Sequence, residues 1–174
     1  VSRFELEIWD DETDRVTFYT VRWEGATSSE TDKFFEKHHE SNPDATQELM
    51  SLIIDTIGTD HGAIDDFFNR HENTVTALPH HGQVTIDEIK FYFPQFPLRL
   101  YALRINNRED LVILFNGGIK SGATNNESGE LNMKFIEANE FATKIEKALQ
   151  EDEIYIDDET RTLKYFNGSS EIIL

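Results

Sequence analysis

Residues 3–9, Arg-Phe-Glu-Leu-Glu-Ile-Trp, alternate between polar and apolar side chains, which puts Phe4, Leu6 and Ile8 on one face of a half-buried strand. The acidic run Asp10 to Asp14 is a turn, and residues 16–23 form a second strand, so the two read as a hairpin. After the loop 25–29, Ser29 or Thr31 caps a short helix that carries Phe34 and Phe35 and ends near His38. Asn42-Pro43-Asp44 restarts the chain. Leu49, Leu52, Ile53 and Ile57 then recur at helical spacing as far as Gly58, a natural C-cap. Residues 62–70 suggest another helical turn, and 74–78 a short strand. His80-His81-Gly82 is a turn, and 84–92 fits neither period clearly.

The second half is patterned more strongly. Pro94 and Pro97 set off a strand over 98–105, and Asn106 to Asp110 form a hairpin loop. Leu111 to Phe115 is a continuous apolar run, the mark of a central strand covered on both faces. Gly117-Gly118 ends or bulges it. Residues 120–130 read as a polar, mobile loop. A long helix follows over 131–150, with Phe135, Ala138, Ala142, Ile145 and Leu149 as its apolar stripe. Residues 154–156 and 163–166 flank Asp157 to Thr160 as a last hairpin, and Ile172 to Leu174 add a strand end. The elements predict an α+β fold, and a length of 174 residues predicts one domain.

Composition changes this picture at one point. The chain has 34 acidic and 16 basic side chains and no cysteine, for a net charge of −18. Without cysteine there is no thiolate nucleophile, zinc ribbon or disulfide framework. The charge disfavours broad binding to nucleic acid or to an anionic membrane, because Lys and Arg supply phosphate affinity. It is also uneven: residues 1–90 carry net −13 and residues 123–174 net −7, whereas residues 91–122 carry net +2. Arg99 and Arg104 persist in a stretch where burial removes most other charges. No apolar run is long enough to span a bilayer and none has the pattern of a signal peptide, so the expected compartment is the cytoplasm.

The motif search gives few anchors. The six histidines (38, 39, 61, 71, 80 and 81) lack metal-ligand spacing, and no metal and no cofactor is expected. His71 and the His80-His81 pair are candidates for general acid–base work, since imidazole titrates near neutrality. Gly117-Gly118-Ile119-Lys120-Ser121 lacks the upstream glycine of a phosphate loop. No Gly-x-Ser-x-Gly elbow is present, and with 34 carboxylates any acid pair chosen on paper lacks specificity.

Three stretches carry a resemblance. Pro97-Leu-Arg-Leu-Tyr-Ala-Leu-Arg-Ile105, then Leu111-Val-Ile-Leu-Phe-Asn-Gly-Gly-Ile-Lys120, then Phe135-Ile-Glu-Ala138 at a helix start resemble the second half of the RelE/ParE-like toxin superfamily, over about half the chain. The resemblance implies an antiparallel sheet packed by two N-terminal helices and one long C-terminal helix. The hairpins 3–23 and 153–166 would then be additions to that fold. It further implies a toxin-like component of a bacterial type II toxin–antitoxin pair, with an antitoxin-like protein partner and an mRNA endonuclease activity. Arg99 matches the strand arginine that contacts the scissile phosphate, and Lys120 the basic residue after the last apolar strand. Arg104 and Arg108 would add phosphate contacts. The family's catalytic tyrosine is Phe135 here, so His71 or His80 would take its place, and Ser121 stands where the family has a second basic residue. The alternative is a non-catalytic protein-interaction module on the same fold, with an acidic binding surface for a partner bearing a basic segment.

Overall fold

A computed structural model describes residues 2–70, 74–120 and 125–174. Its strands are β1 (Phe4–Asp10), β2 (Thr17–Trp23), β3 (Asn69–Arg70), β4 (Thr76–Leu78), β5 (Gln83–Ile86), β6 (Ile89–Tyr92), β7 (Leu98–Arg104), β8 (Leu111–Ile119), β9 (Ile154–Asp157), β10 (Thr162–Tyr165) and β11 (Ile172–Ile173). Its helices are α1 (Glu30–Ser41), α2 (Pro43–Ser51) and α3 (Asn125–Gln150). Seven strands form one sheet in the order β11-β1-β2-β8-β7-β4-β3. The pairs β5-β6 and β9-β10 stand apart as separate two-stranded ribbons.

Both faces of the sheet are covered, as the apolar run in β8 requires. Val112 and Leu114 point to one side, into a core with Phe18 of β2, Phe34 of α1 and Leu49 of α2. Ile113 and Phe115 point to the other, against Tyr19 and against Ala138, Phe141 and Ala142 of α3. The β9-β10 ribbon packs over this second face through Ile154 and Leu163. The fold is a mixed α+β arrangement with helices on opposite faces of the sheet.

Three expectations change. First, the sheet is not wholly antiparallel. β2 and β8 run parallel, with Thr17 opposite Leu111 and Thr20 opposite Leu114. The hairpin 3–23 extends the sheet on the β8 side, with β2 beside β8 and β1 between β2 and β11. Ile8 is also exposed rather than buried with Phe4 and Leu6, and β1 shifts register after it. Second, the helix after α2 widens into a π-helical stretch, Leu52–His61. Gly58 lies within it, where an added Cβ would sit 2.7 Å from Thr13 Cγ2, and Gly62 ends it with φ +87°. Third, α3 begins at Asn125, inside the stretch expected to be loop. The remainder of that expectation, residues 121–124, lies outside the described residues.

Gly117-Gly118 bulges the strand rather than ending it. Two steps along β7 (Leu100 to Ala102) oppose three along β8 (Gly117 to Leu114), so β8 carries one extra residue. At Gly117 an added Cβ would lie 1.8 Å from the Arg99 carbonyl oxygen. Only glycine lets β7 and β8 approach so closely here, and the close approach fixes the backbone of Arg99.

Candidate anion-binding site

Arg99 and Lys120 leave neighbouring points of the sheet. Arg99 pairs with Gly118 across the β7–β8 ladder, and the Lys120 N–H donates to the Pro97 carbonyl at 2.7 Å. Between their side chains stands His81, on the turn after β4. Arg99 Nη2 lies 3.3 Å from His81 Nε2, and Lys120 Nζ lies 3.3 Å from His81 Nδ1. The turn is anchored by Asn69, whose Oδ1 accepts from the His81 N–H at 2.7 Å while its Nδ2 donates to the Pro79 carbonyl at 3.1 Å. Among the described residues, neither Arg99 nor Lys120 has a carboxylate partner.

The electrostatics of this trio are unfavourable without a ligand. A neutral imidazole has one lone pair, yet both of its ring nitrogens face cationic donors. Desolvation and the charges of Lys120, Arg99 and His80 together push the His81 pKa below its ordinary value. Desolvation and Arg99 likewise lower that of Lys120. An oxyanion among the three would accept from every one of them. Tyr101, two residues from Arg99, packs its buried ring against Phe135 at 5.4 Å. Burial raises the pKa of its hydroxyl, and Arg99 opposes that rise by charge and hydrogen bonding.

The other expected phosphate ligands do not join. Arg104 is 8 % exposed. Its Nη1 donates to Asp65 Oδ1 at 3.0 Å and its Nη2 to the Asn107 carbonyl at 3.2 Å, and its guanidinium lies over the Phe68 ring at 5.4 Å. It ties β7 to the loop after the π-helical stretch. Arg108 is held by both oxygens of Asp110 at 2.8 Å and by Asp158 at 2.7 Å. That contact raises its pKa and lowers that of Asp110. Both arginines are thus committed to carboxylates. His80 is buried, with Nε2 3.0 Å from the Phe91 carbonyl and its ring against Phe67 and Phe93. It is part of the packing, whereas its neighbour His81 is the histidine of the cluster. His71 lies outside the described residues, as does Ser121.

The resemblance brought Arg99 and Lys120 together, but the acid–base role was expected of His71 or His80, whereas the histidine beside these two cations is His81. Tyr101 was missed, although its two-residue spacing from Arg99 is a signal for a shared strand face. Among the described residues, no group of three or more His, Asp or Glu side chains is arranged to hold a metal ion, and no helix is long and apolar enough to cross a membrane. Comparison with protein-family models, with curated proteins and with solved structures returns no match for this chain.

Proposed function

We propose that the protein is a toxin-like component of a bacterial type II toxin–antitoxin pair, in which Arg99, Lys120 and His81 engage one RNA phosphodiester and cleave it. The observation that carries this reading is the convergence of three donor side chains on one point with no carboxylate among their described contacts. Two of the three are the residues that the RelE/ParE-like resemblance assigns to phosphate.

The chemistry follows from the placement. His81, whose pKa desolvation and its cationic neighbours lower, accepts the proton of the ribose 2′-hydroxyl. The 2′-oxygen forms a bond to phosphorus, the bond to the 5′-oxygen breaks, and a 2′,3′-cyclic phosphate results. Lys120 returns a proton to the departing oxygen, and Arg99 holds the added charge of the transition state. The acidic flanks, net −13 and net −7, restrict the contact to one or two phosphates and leave acidic surface for an antitoxin-like protein partner.

The commitment of Arg104 and Arg108 to Asp65, Asp110 and Asp158 favours a second reading, in which the same cluster docks a phosphate-bearing or acidic group of a partner without cleaving anything. Incubation with a short synthetic RNA separates the two. Cleavage by the native protein, lost in Arg99→Ala and Lys120→Ala, is the expected result, with binding that falls with salt at a log–log slope of roughly −1 to −2. Binding of inorganic phosphate without any RNA cleavage would leave the docking reading, and binding of neither would sink both.

A further inference from the structure

The parallel pair β2–β8 creates a second feature. The chain leaves β2 for α1 on one face of the sheet and leaves β8 for α3 on the opposite face. Adjacent parallel strands whose connections diverge in this way open a crevice beyond their carboxyl ends, and such crevices hold ligands in open sheets. Here α1 enters the split. Thr31 Oγ1 donates to the carbonyls of Leu114 at 3.0 Å and Phe115 at 2.9 Å, and lies 2.6 Å from Thr20 Oγ1. Above this wedge is a cavity of about 340 Å³ lined by His38 of α1, Gly117 and Gly118 of β8, and Met133 and Glu137 of α3.

Two polar atoms of this lining are buried without a hydrogen-bond partner: His38 Nδ1, on a side chain only 3 % exposed, and Glu137 Oε1. Glu137 also hydrogen-bonds Glu30. Glu30 is 2 % exposed and accepts from Lys33 Nζ at 3.0 Å and Asn116 Nδ2 at 3.3 Å. Two carboxyls in hydrogen-bond contact share a proton, because two adjacent buried negative charges repel. Burial and Glu30 together raise the Glu137 pKa to about 7, so Glu137 is the member that holds it. Lys37 Nζ at the rim stands 3.8 Å from Glu130 Oε2, and Lys134 Nζ stands 3.9 Å from that same Glu137 Oε1, an ion pair beyond hydrogen-bond reach that an entering ammonium would displace. Desolvation and Lys37 lower the His38 pKa, opposed by Glu130. The cavity thus offers a lone-pair acceptor on Glu137, an imidazole nitrogen without a partner and a displaceable proton. An ammonium head supplies several N–H donors and a charge that replaces that proton.

We propose that this crevice is a second ligand site, which takes the primary ammonium head of a small amine with Glu30 and Glu137 as counter-charges and His38 Nδ1 as an acceptor. No covalent bond changes. The proton between the two carboxyls passes to solvent as the ammonium enters, and the alkyl stem lies along Met133. The site is independent of the Arg99 cluster, so either can fail alone.

The test is calorimetric titration of the full chain at pH 7 with n-butylammonium chloride, in two buffers of different protonation enthalpy. We expect saturable binding with release of a fraction of a proton per amine, together with a shift of the His38 ring resonances. Glu137→Gln keeps the hydrogen bond to Glu30 but cannot ionise, so binding weakens at least tenfold and the proton release vanishes. Tetramethylammonium, which has the charge but no N–H donor, shifts nothing in the native protein, and this arm stands even if the variant does not fold. Absence of binding at tens of millimolar amine, binding without proton release, or equal binding of tetramethylammonium would each overturn the proposal.

Discussion

The carboxyl end of β8 separates two groups of like charge that are managed in opposite ways. On one side Arg99 and Lys120 crowd His81 in a half-exposed setting, where water screens the repulsion and all three stay available to a ligand. On the other, a half-buried Glu137 meets the buried Glu30, where screening is weaker, and a bound proton removes the conflict. Neither arrangement favours the folded state by itself. Repulsion tolerated at a surface calls for an oxyanion, whereas repulsion relieved by a proton calls for a cation that can displace it.

The largest expected effect comes from the residue that serves both sides. Gly117→Ala drives a methyl group into the Arg99 backbone and should lower stability by at least ~2 kcal/mol, read by urea denaturation. A loss under about 0.5 kcal/mol would mean that β7 and β8 can separate without cost.

Next come the cations. Arg99→Ala or Lys120→Ala should weaken inorganic phosphate binding at least tenfold. Each should also raise the His81 pKa, since both cations hold it down. An NMR pH titration of the His81 ring reads this directly, and an unmoved or lower value contradicts the electrostatic coupling.

On the acidic side the sign is opposite. Glu137 binds its proton more tightly in the folded protein, with a pKa of about 7 against an ordinary value of 4.5. Its contribution is therefore complete below pH 4.5 and is lost as the pH rises through 7. Above that pH, Glu137→Gln should be more stable than the native protein, by on the order of 1–2 kcal/mol after allowance for its partial exposure. Glu30, whose pKa is lowered, acts in the reverse direction and at lower pH. Thermal melts from pH 4 to 9 that show no crossover between native and variant would refute the shared proton.

The smallest effect belongs to Arg108, already committed to Asp110 and Asp158. Arg108→Ala should leave phosphate affinity within about twofold and stability within ~0.5 kcal/mol. A tenfold loss of affinity would bring it into the anion site after all.

The elements were legible wherever period and punctuation agreed. The β7–β8 hairpin, the apolar run of β8 and the stripe of α3 follow from alternation, from a run too apolar for one face, and from 3.6-residue spacing. The ambiguous stretch 84–92 became the β5-β6 ribbon because Asp87 and Glu88 adopt positive φ, a turn that acidic residues signal only weakly. The parallel pairing of β2 with β8 was not legible, since no local pattern records which distant strand a hairpin joins. Of the anion site, Arg99 and Lys120 came only from the RelE/ParE-like resemblance, which assigns both to phosphate; Arg99 lies on β7 and Lys120 just past the end of β8. Arg104 could not be excluded, because its partner Asp65 is one carboxylate among 34. The Glu30–Glu137 pair left no trace, as its members meet only through the opposite placement of α1 and α3.

The β2–β8 ladder also joins strands far apart in the sequence, which bears on how the chain folds. Thr17 finds its neighbour at Leu111, and Phe4 exchanges both backbone hydrogen bonds with Leu174 at 2.9 Å. The amino-terminal hairpin therefore cannot complete its pairing until β8 and then β11 have been made. Pairings this distant in sequence slow the search for the native state. Until β8 is in place, the edge of β2 that pairs with it is open to mispairing with another strand.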